Sequence, residues 1–183
     1  TTRLVGSEMC IRDRVITVQQ GSKWRLGLIA RQNMQSAVNA GAWEEQWDNR
    51  EEEPYLRYVS MEDARTRPQH RALHGKIFPI DDPFWQTHYP PNGWNCRCNV
   101  EGVSEAHLKR RKWKVKSSEG KMTTREIVIR DRRTGEETVR TVTGYRYDKD
   151  NIFWTDAGFD YNPGAVSLAD NILRERIRGL KDP

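Results

Sequence analysis

Nowhere in the 183-residue sequence do apolar residues run together for the ~18 positions a helix needs to cross a bilayer. No bilayer-spanning helix is expected, and no membrane partner. Cysteine is scarce too: only Cys10, Cys96 and Cys98 occur. Two strand residues at C-x-C spacing rarely reach disulfide geometry, so no disulfide framework is expected and a reducing compartment suffices. The opening "TTRLVGSEMCIRDR" has no apolar stretch and no small-residue cleavage site, which argues against a signal peptide. "SEMCIRDR" has instead the look of translated adaptor sequence. Residues 1–14 are therefore expected to be a non-native or disordered leader, and 15–183 the domain proper. Internal repeats and low-complexity tracts are missing as well.

What the chain does have is tryptophan and charge. Seven tryptophans argue for a compact centre, while 36% apolar and 31% charged residues make that core lean. Charge is segregated. Between residues 43 and 63 eight acids face two arginines, and between 109 and 146 thirteen Lys and Arg face five acids. Such asymmetry suits docking to copies, to partners or to nucleic acid, and equally a solvated surface.

From Lys23 to Asn49 the spacing of Leu26, Ala30, Met34 and Val38 predicts a helix with one narrow packing face, stopped by an acidic run and Pro54. "YLRYVS" alternates as a strand, a helical turn follows near Gln69–Leu73, and 76–78 is extended. Five prolines and glycines make 79–93 a rigid loop with no element in it, anchored by Phe84, Trp85 and Trp94. Residues 94–103 read as a strand with Trp94, Cys96, Cys98 and Val100 on one face. Ser104 caps a short basic helix, and 120–147 form an exposed β-hairpin, an insertion outside the core, turning at "RRTGEE". A last helix is expected at 167–179.

Four groups of residues carry candidate chemistry. His70 and His74 have H-x3-H spacing and, with Cys96 and Cys98, make a zinc site conceivable, against two thiols packed as small hydrophobes. Zinc is the one cofactor considered. A Cys–His nucleophile pairing Cys96 or Cys98 with His88 lacks an elbow or oxyanion loop. Asp63, Arg65 and Arg67 suit an ion-pair network that pins a loop, or an anion site with His70. Lys109, Arg110, Arg111, Lys112 and Lys114 around Trp113 suit a docking face or sequence-independent contact with nucleic acid.

The segments "IARQNMQSAVNAG", "EDARTRPQHRALHGKIFPIDDPFWQTHYPPNGWNCRC" and "GFDYNPG" together resemble the phage Mu F-like family of head morphogenesis, or minor head, proteins, over about residues 25–171. The matching positions are Asn39, Gly41, Asp63, Arg65, Arg67, His70, Gly75, Pro90, Pro91, Asn92, Cys96, Arg97 and Cys98. One departure is Gln32-Asn33, where the family often has Thr-Glu. The resemblance implies an α+β fold with helices on a split antiparallel sheet, related to ADP-ribosyltransferases. It implies a structural role in phage head assembly rather than an enzyme, with portal and capsid proteins as partners. The expected location is the virion, and the bacterial host cytoplasm during assembly. Because the family usually carries a longer, portal-proximal N-terminal region, the chain is expected to be a fragment. Two rivals remain: an ADP-ribosyltransferase-like or toxin-associated enzyme, for which Glu101 or Glu175 would serve by elimination, and a zinc-stabilised nucleic-acid-binding module.

Overall fold

The computed structural model describes residues 23–131 and 134–165. The expected leader 1–14 and the predicted helix 167–179, with Glu175, lie outside the described residues.

Helix α1 (Lys23–Asp48) contains no proline and closes with Asn49 N–H bonded to Glu45 O at 3.0 Å, just ahead of Pro54. Its buried residues are Gln32, Asn39 and Trp43, which share one helical stripe through spacings of seven and four. Leu26, Met34 and Val38 are instead 51, 69 and 60% exposed. The predicted apolar packing face is therefore turned outward. The reason lies in what the helix covers: irregular backbone and the edge strand at 99–103, whose N–H and C=O groups need partners when buried. Asn39 Nδ2 donates to Pro90 O at 3.0 Å, Gln46 Nε2 to Val100 O at 2.9 Å, and Gln32 Oε1 accepts from Asn95 N–H at 3.1 Å.

Strand β1 (Tyr55–Val59) lies between β2 (Ile77–Pro79) and β3 (Asn99–Val103), antiparallel to both. Leu56 and Tyr58 point into the core, as their alternation predicts, with Leu56 opposite Phe78 and Tyr58 opposite Val100. Between β1 and β2 sits α2 (Pro68–Leu73), which has proline in its first turn, where the missing N–H costs nothing. Gly75, at φ +74°, turns the chain back so that its N–H reaches Tyr58 O at 2.8 Å.

Two expectations for 79–103 are corrected. The proline-rich loop contains a short helix, α3 (Phe84–His88), because the Asp82 carboxylate accepts the Phe84 N–H at 2.9 Å and also binds the amide and hydroxyl of Ser118. Residues 94–98 are not strand: Asn95 takes φ +58° and Cys96 N–H closes a turn on Gly93 O at 3.1 Å, so pairing begins only at Asn99.

After the Ser104-capped α4 (Glu105–Arg111), β4 (Met122–Arg130), β5 (Glu137–Arg146) and β6 (Ile152–Trp154) form a second antiparallel sheet in that order. The distal hairpin is exposed as expected, with Val128 at 62% and Val139 at 57%. Its base is not peripheral. Val142 and Tyr145 are buried, and the Tyr145 ring meets Phe78 and Phe84 edge-on at 5.5 and 5.0 Å. The arrangement is α+β: two small antiparallel sheets and their helices share an aromatic core of Trp43, Phe78, Phe84, Trp85, Tyr89, Tyr145 and Phe153. Among the described residues no helix is long and apolar enough to cross a membrane.

Candidate functional site

A buried histidine and two buried thiols converge where α2 meets the turn before β3. His70, on the inner face of α2, presents Nδ1 to Cys96 Sγ at 3.6 Å and to Cys98 Sγ at 3.4 Å. The three ligand atoms lie within 4.8 Å of one another. Hydrogen bonding with Cys98 draws the Cys96 thiol well below the ordinary range, and His70 adds to it; the same bond, with burial, pushes Cys98 up. Tyr58, buried beneath them, is held neutral by its burial. The three residues line a cavity of about 200 Å³, shared with Met61, Arg65, Arg67 and Arg97.

His74, expected as the fourth member, is elsewhere. It follows the last residue of α2, and its N–H closes on Arg71 O three residues back, at 3.0 Å, rather than four back as on the continuous helix that H-x3-H assumes. Its Nδ1 accepts from Ser60 N–H at 3.2 Å, and its Nε2 lies 3.3 Å from Arg57 and 3.5 Å from Glu62. His88 does not join the thiols either. It stacks on Phe84 at 4.9 Å, its Nδ1 is 2.8 Å from Thr87 Oγ1, and burial lowers it to about 3, so it is a neutral core residue.

The Asp63, Arg65, Arg67 motif pins the loop rather than gathering an anion with His70, whose Nδ1 faces sulfur. Asp63 accepts from Arg97 at 2.8 Å, from the Arg65 N–H at 3.0 Å and from the Thr66 hydroxyl at 2.9 Å; the Arg97 bond is the main reason its carboxyl sits far below the usual range. Arg67 forks between Asp156 Oδ2 and Trp94 O, both at 2.9 Å. A side chain at position 93 would collide with Asp156 and Arg67, so only glycine lets that pair close over the loop. Arg65 contributes its side chain to the cavity wall.

Asn92 is a fastener that residue patterns did not single out for a task. Fully buried, it donates to Tyr58 Oη and to His88 O, both at 3.0 Å. Asp82 and Gln32 were missed as well. For Asp82 a signal existed, since an acid two residues before Phe84 and next to Pro83 is a helix-start pattern.

The basic group stays on the surface. Lys109, Arg110, Arg111, Lys112 and Lys114 are exposed, and Lys109 pairs with Glu105 at 3.6 Å. Lys112 ends α4 in the left-handed region at φ 55°. Trp113 is half-buried, with the Arg57 guanidinium 4.7 Å from its ring centroid and that of Arg111 6.0 Å away, so it already stacks with cations of its own chain.

This geometry can be set beside known proteins. The chain is 44% identical over 156 residues to the Mu-like prophage FluMu F protein of Haemophilus influenzae, covering 85% of this chain and 37% of that protein. It is 38% identical over 168 residues to the putative capsid assembly protein F of Escherichia phage Mu, covering 90% and 38%. An uncharacterized protein of Methanocaldococcus jannaschii shares 37% identity over 82 residues, 44% of this chain and 12% of that one. The chain thus spans well under half the length of these relatives. No solved structure matches it. The family described as Phage Mu protein F like protein matches residues 7–101, just over half of the chain and the part that contains the thiols, His70 and the pinning arginines; the chain belongs to the phage Mu F-like family.

Proposed function

We propose that this chain is a head-assembly domain of a phage minor head protein, working by contact near the portal, in the virion and before that in the host cytoplasm. The observation that carries this reading is where the motif residues spend their bonding capacity. Asp63, Arg67, Asn39, Asn92 and Arg97 all close on their own fold, across separations of up to 89 residues, and so build a rigid block. A relative named for capsid assembly supports the same conclusion. The block offers partners an acidic end at α1 and an exposed basic face on α4.

The test is charge reversal in the full-length phage protein, at Arg110→Glu with Arg111→Glu. Lys112 is left alone because its left-handed backbone would confound the result. Copies per head should fall several-fold if this face docks on portal or capsid protein; an unchanged copy number removes that face from assembly. If the loss instead accompanies weaker, steeply salt-dependent binding to any DNA, the face is a phosphate contact.

We read the α+β arrangement as related to ADP-ribosyltransferases without their activity. Glu101, an acid the enzyme reading would use, is paired with Arg57 at 2.8 Å. Transfer or cleavage of labelled NAD by the chain would overturn the assembly reading.

A further inference from the structure

We propose that His70 Nδ1, Cys96 Sγ and Cys98 Sγ bind one zinc ion, and that its fourth coordination position is open to the cavity lined by Arg65, Arg67 and Arg97.

The argument starts from shape. Zinc bound at ~2.3 Å to sulfur and ~2.0–2.1 Å to nitrogen in a tetrahedron sets S···N edges of about 3.6 Å and an S···S edge of about 3.8 Å. The two S···N distances are 3.6 and 3.4 Å, and every pair in the triad lies within 4.8 Å. Both S···N edges match those of such a tetrahedron, and the S···S edge is bounded at 4.8 Å. Both sulfur atoms approach the same ring nitrogen, the arrangement in which one cation is bound by all three atoms at once. The supports around the triad also match a metal site. Pro68 starts the helix that carries His70, and Arg67 binds Trp94 O, two residues before Cys96. The positions of the ligands are therefore set by bonds that do not involve them.

Among the described residues no fourth His, Cys, Asp or Glu joins the triad, and His74, the candidate from spacing, is held by Ser60 and Arg57. The cavity that all three residues line leaves room for a fourth ligand from solution. On that wall Arg67 and Arg97 are already paired with Asp156 and Asp63, so it is Arg65 that favours hydroxide or a small anion over neutral water. The ligands come from α2 and from the turn before β3, 26 and 28 residues apart, so the ion would staple the two ends of the proline-rich loop. Binding releases the thiol protons, so affinity rises with pH until both thiols are ionised.

The test uses the whole chain, reduced and purified without affinity nickel, with zinc content measured by elemental analysis. One zinc per chain is expected. The cobalt(II)-substituted protein should show a thiolate-to-metal charge-transfer band and the intense visible bands of a tetrahedral site. His74→Ala should leave both unchanged, and azide as a probe anion should shift the visible bands. Failure of reduced wild-type protein to take up equimolar zinc or cobalt overturns the proposal. So does loss of the metal in His74→Ala, while visible bands unmoved by azide overturn the open fourth position. Cys96→Ser and Cys98→Ser should each lose the charge-transfer intensity of one thiolate. If they do not fold, the wild type settles the point: zinc should protect two thiols from a thiol reagent, and a chelator should restore their reactivity. Protection of neither overturns the assignment.

Discussion

The block from Asp63 to Cys98 and the hairpin from Met122 to Arg146 are built on opposite principles. The hairpin is regular backbone: its ladder pairs the inward-facing N–H and C=O groups from Met122↔Tyr145 to Arg130↔Glu137, and along the exposed distal part the outward-facing ones meet water. It can stand out in solvent with Val128 and Val139 exposed and needs the core only at its base. The block is mostly irregular backbone that is buried, and its turns are held by side chains, from α1 or from within the block: Asn39 on Pro90 O, Gln32 on Asn95 N–H, Arg67 on Trp94 O, Asn92 on His88 O. Burying irregular chain demands specific polar residues, and regular pairing does not. The residues shared with the Mu F-like motif are concentrated in the block for that physical reason.

This contrast predicts a gradient of sensitivity. The largest loss should come from the aromatic centre of the block. Phe84 is fully buried and stacks on Phe78 at 4.3 Å, so Phe84→Ala should cost about 3–5 kcal/mol in denaturant unfolding. A loss below 1 kcal/mol would show that the block is not the stability centre.

Acid should act next. His88 is held at about 3, below its ordinary 6.5, because burial penalises its charged form. The unfolded chain therefore takes up a proton first as pH falls. The stability that depends on neutral His88 is complete above about 6.5 and drains at about 1.4 kcal/mol per pH unit toward 3, close to 2 kcal/mol at pH 5. Replacing His88 with a non-titrating residue should flatten the slope between pH 6.5 and 5 by one proton. A slope that does not change would place the acid response in another group.

A smaller effect is expected from the latch. Asn39→Ala leaves the Pro90 carbonyl buried without its donor, at a cost of about 1–3 kcal/mol. It should also raise amide exchange across 92–98, whereas the same truncation of exposed Met34 should move neither. The smallest effect belongs to the hairpin. Val139→Thr lies within about 0.5 kcal/mol of zero because the side chain is 57% exposed and its strand pairing is backbone-made. A loss comparable to that of Asn39→Ala would mean that the distal hairpin packs on something, which would erase the contrast.

Residue patterns reached some of this and missed the rest for identifiable reasons. The alternation of Leu56 and Tyr58, the proline-started α2 and the hairpin around Gly135 were legible because each is a local signal. The orientation of α1 was not. Apolar spacing picked Leu26, Met34 and Val38, but the buried stripe is Gln32, Asn39 and Trp43, since the surface the helix covers is polar backbone. H-x3-H spacing likewise assumed a helix continuing past Leu73, and His74 lies just where it stops. Asp82 recruits Ser118 from 36 residues away, a partnership no local window contains.

The sequence by itself determined the segregation of charge and the residue types gathered around Cys96 and Cys98, because those follow from composition and short-range spacing; its motifs gave the family by resemblance, and the α+β class was what that resemblance implied. Tertiary structure alone decided that His70 and not His74 meets the thiols, that α1 turns its apolar stripe to solvent, and that the base of the hairpin joins the core. Each of these depends on which distant backbone groups must be satisfied once they are buried. That demand exists only after the chain has folded around them.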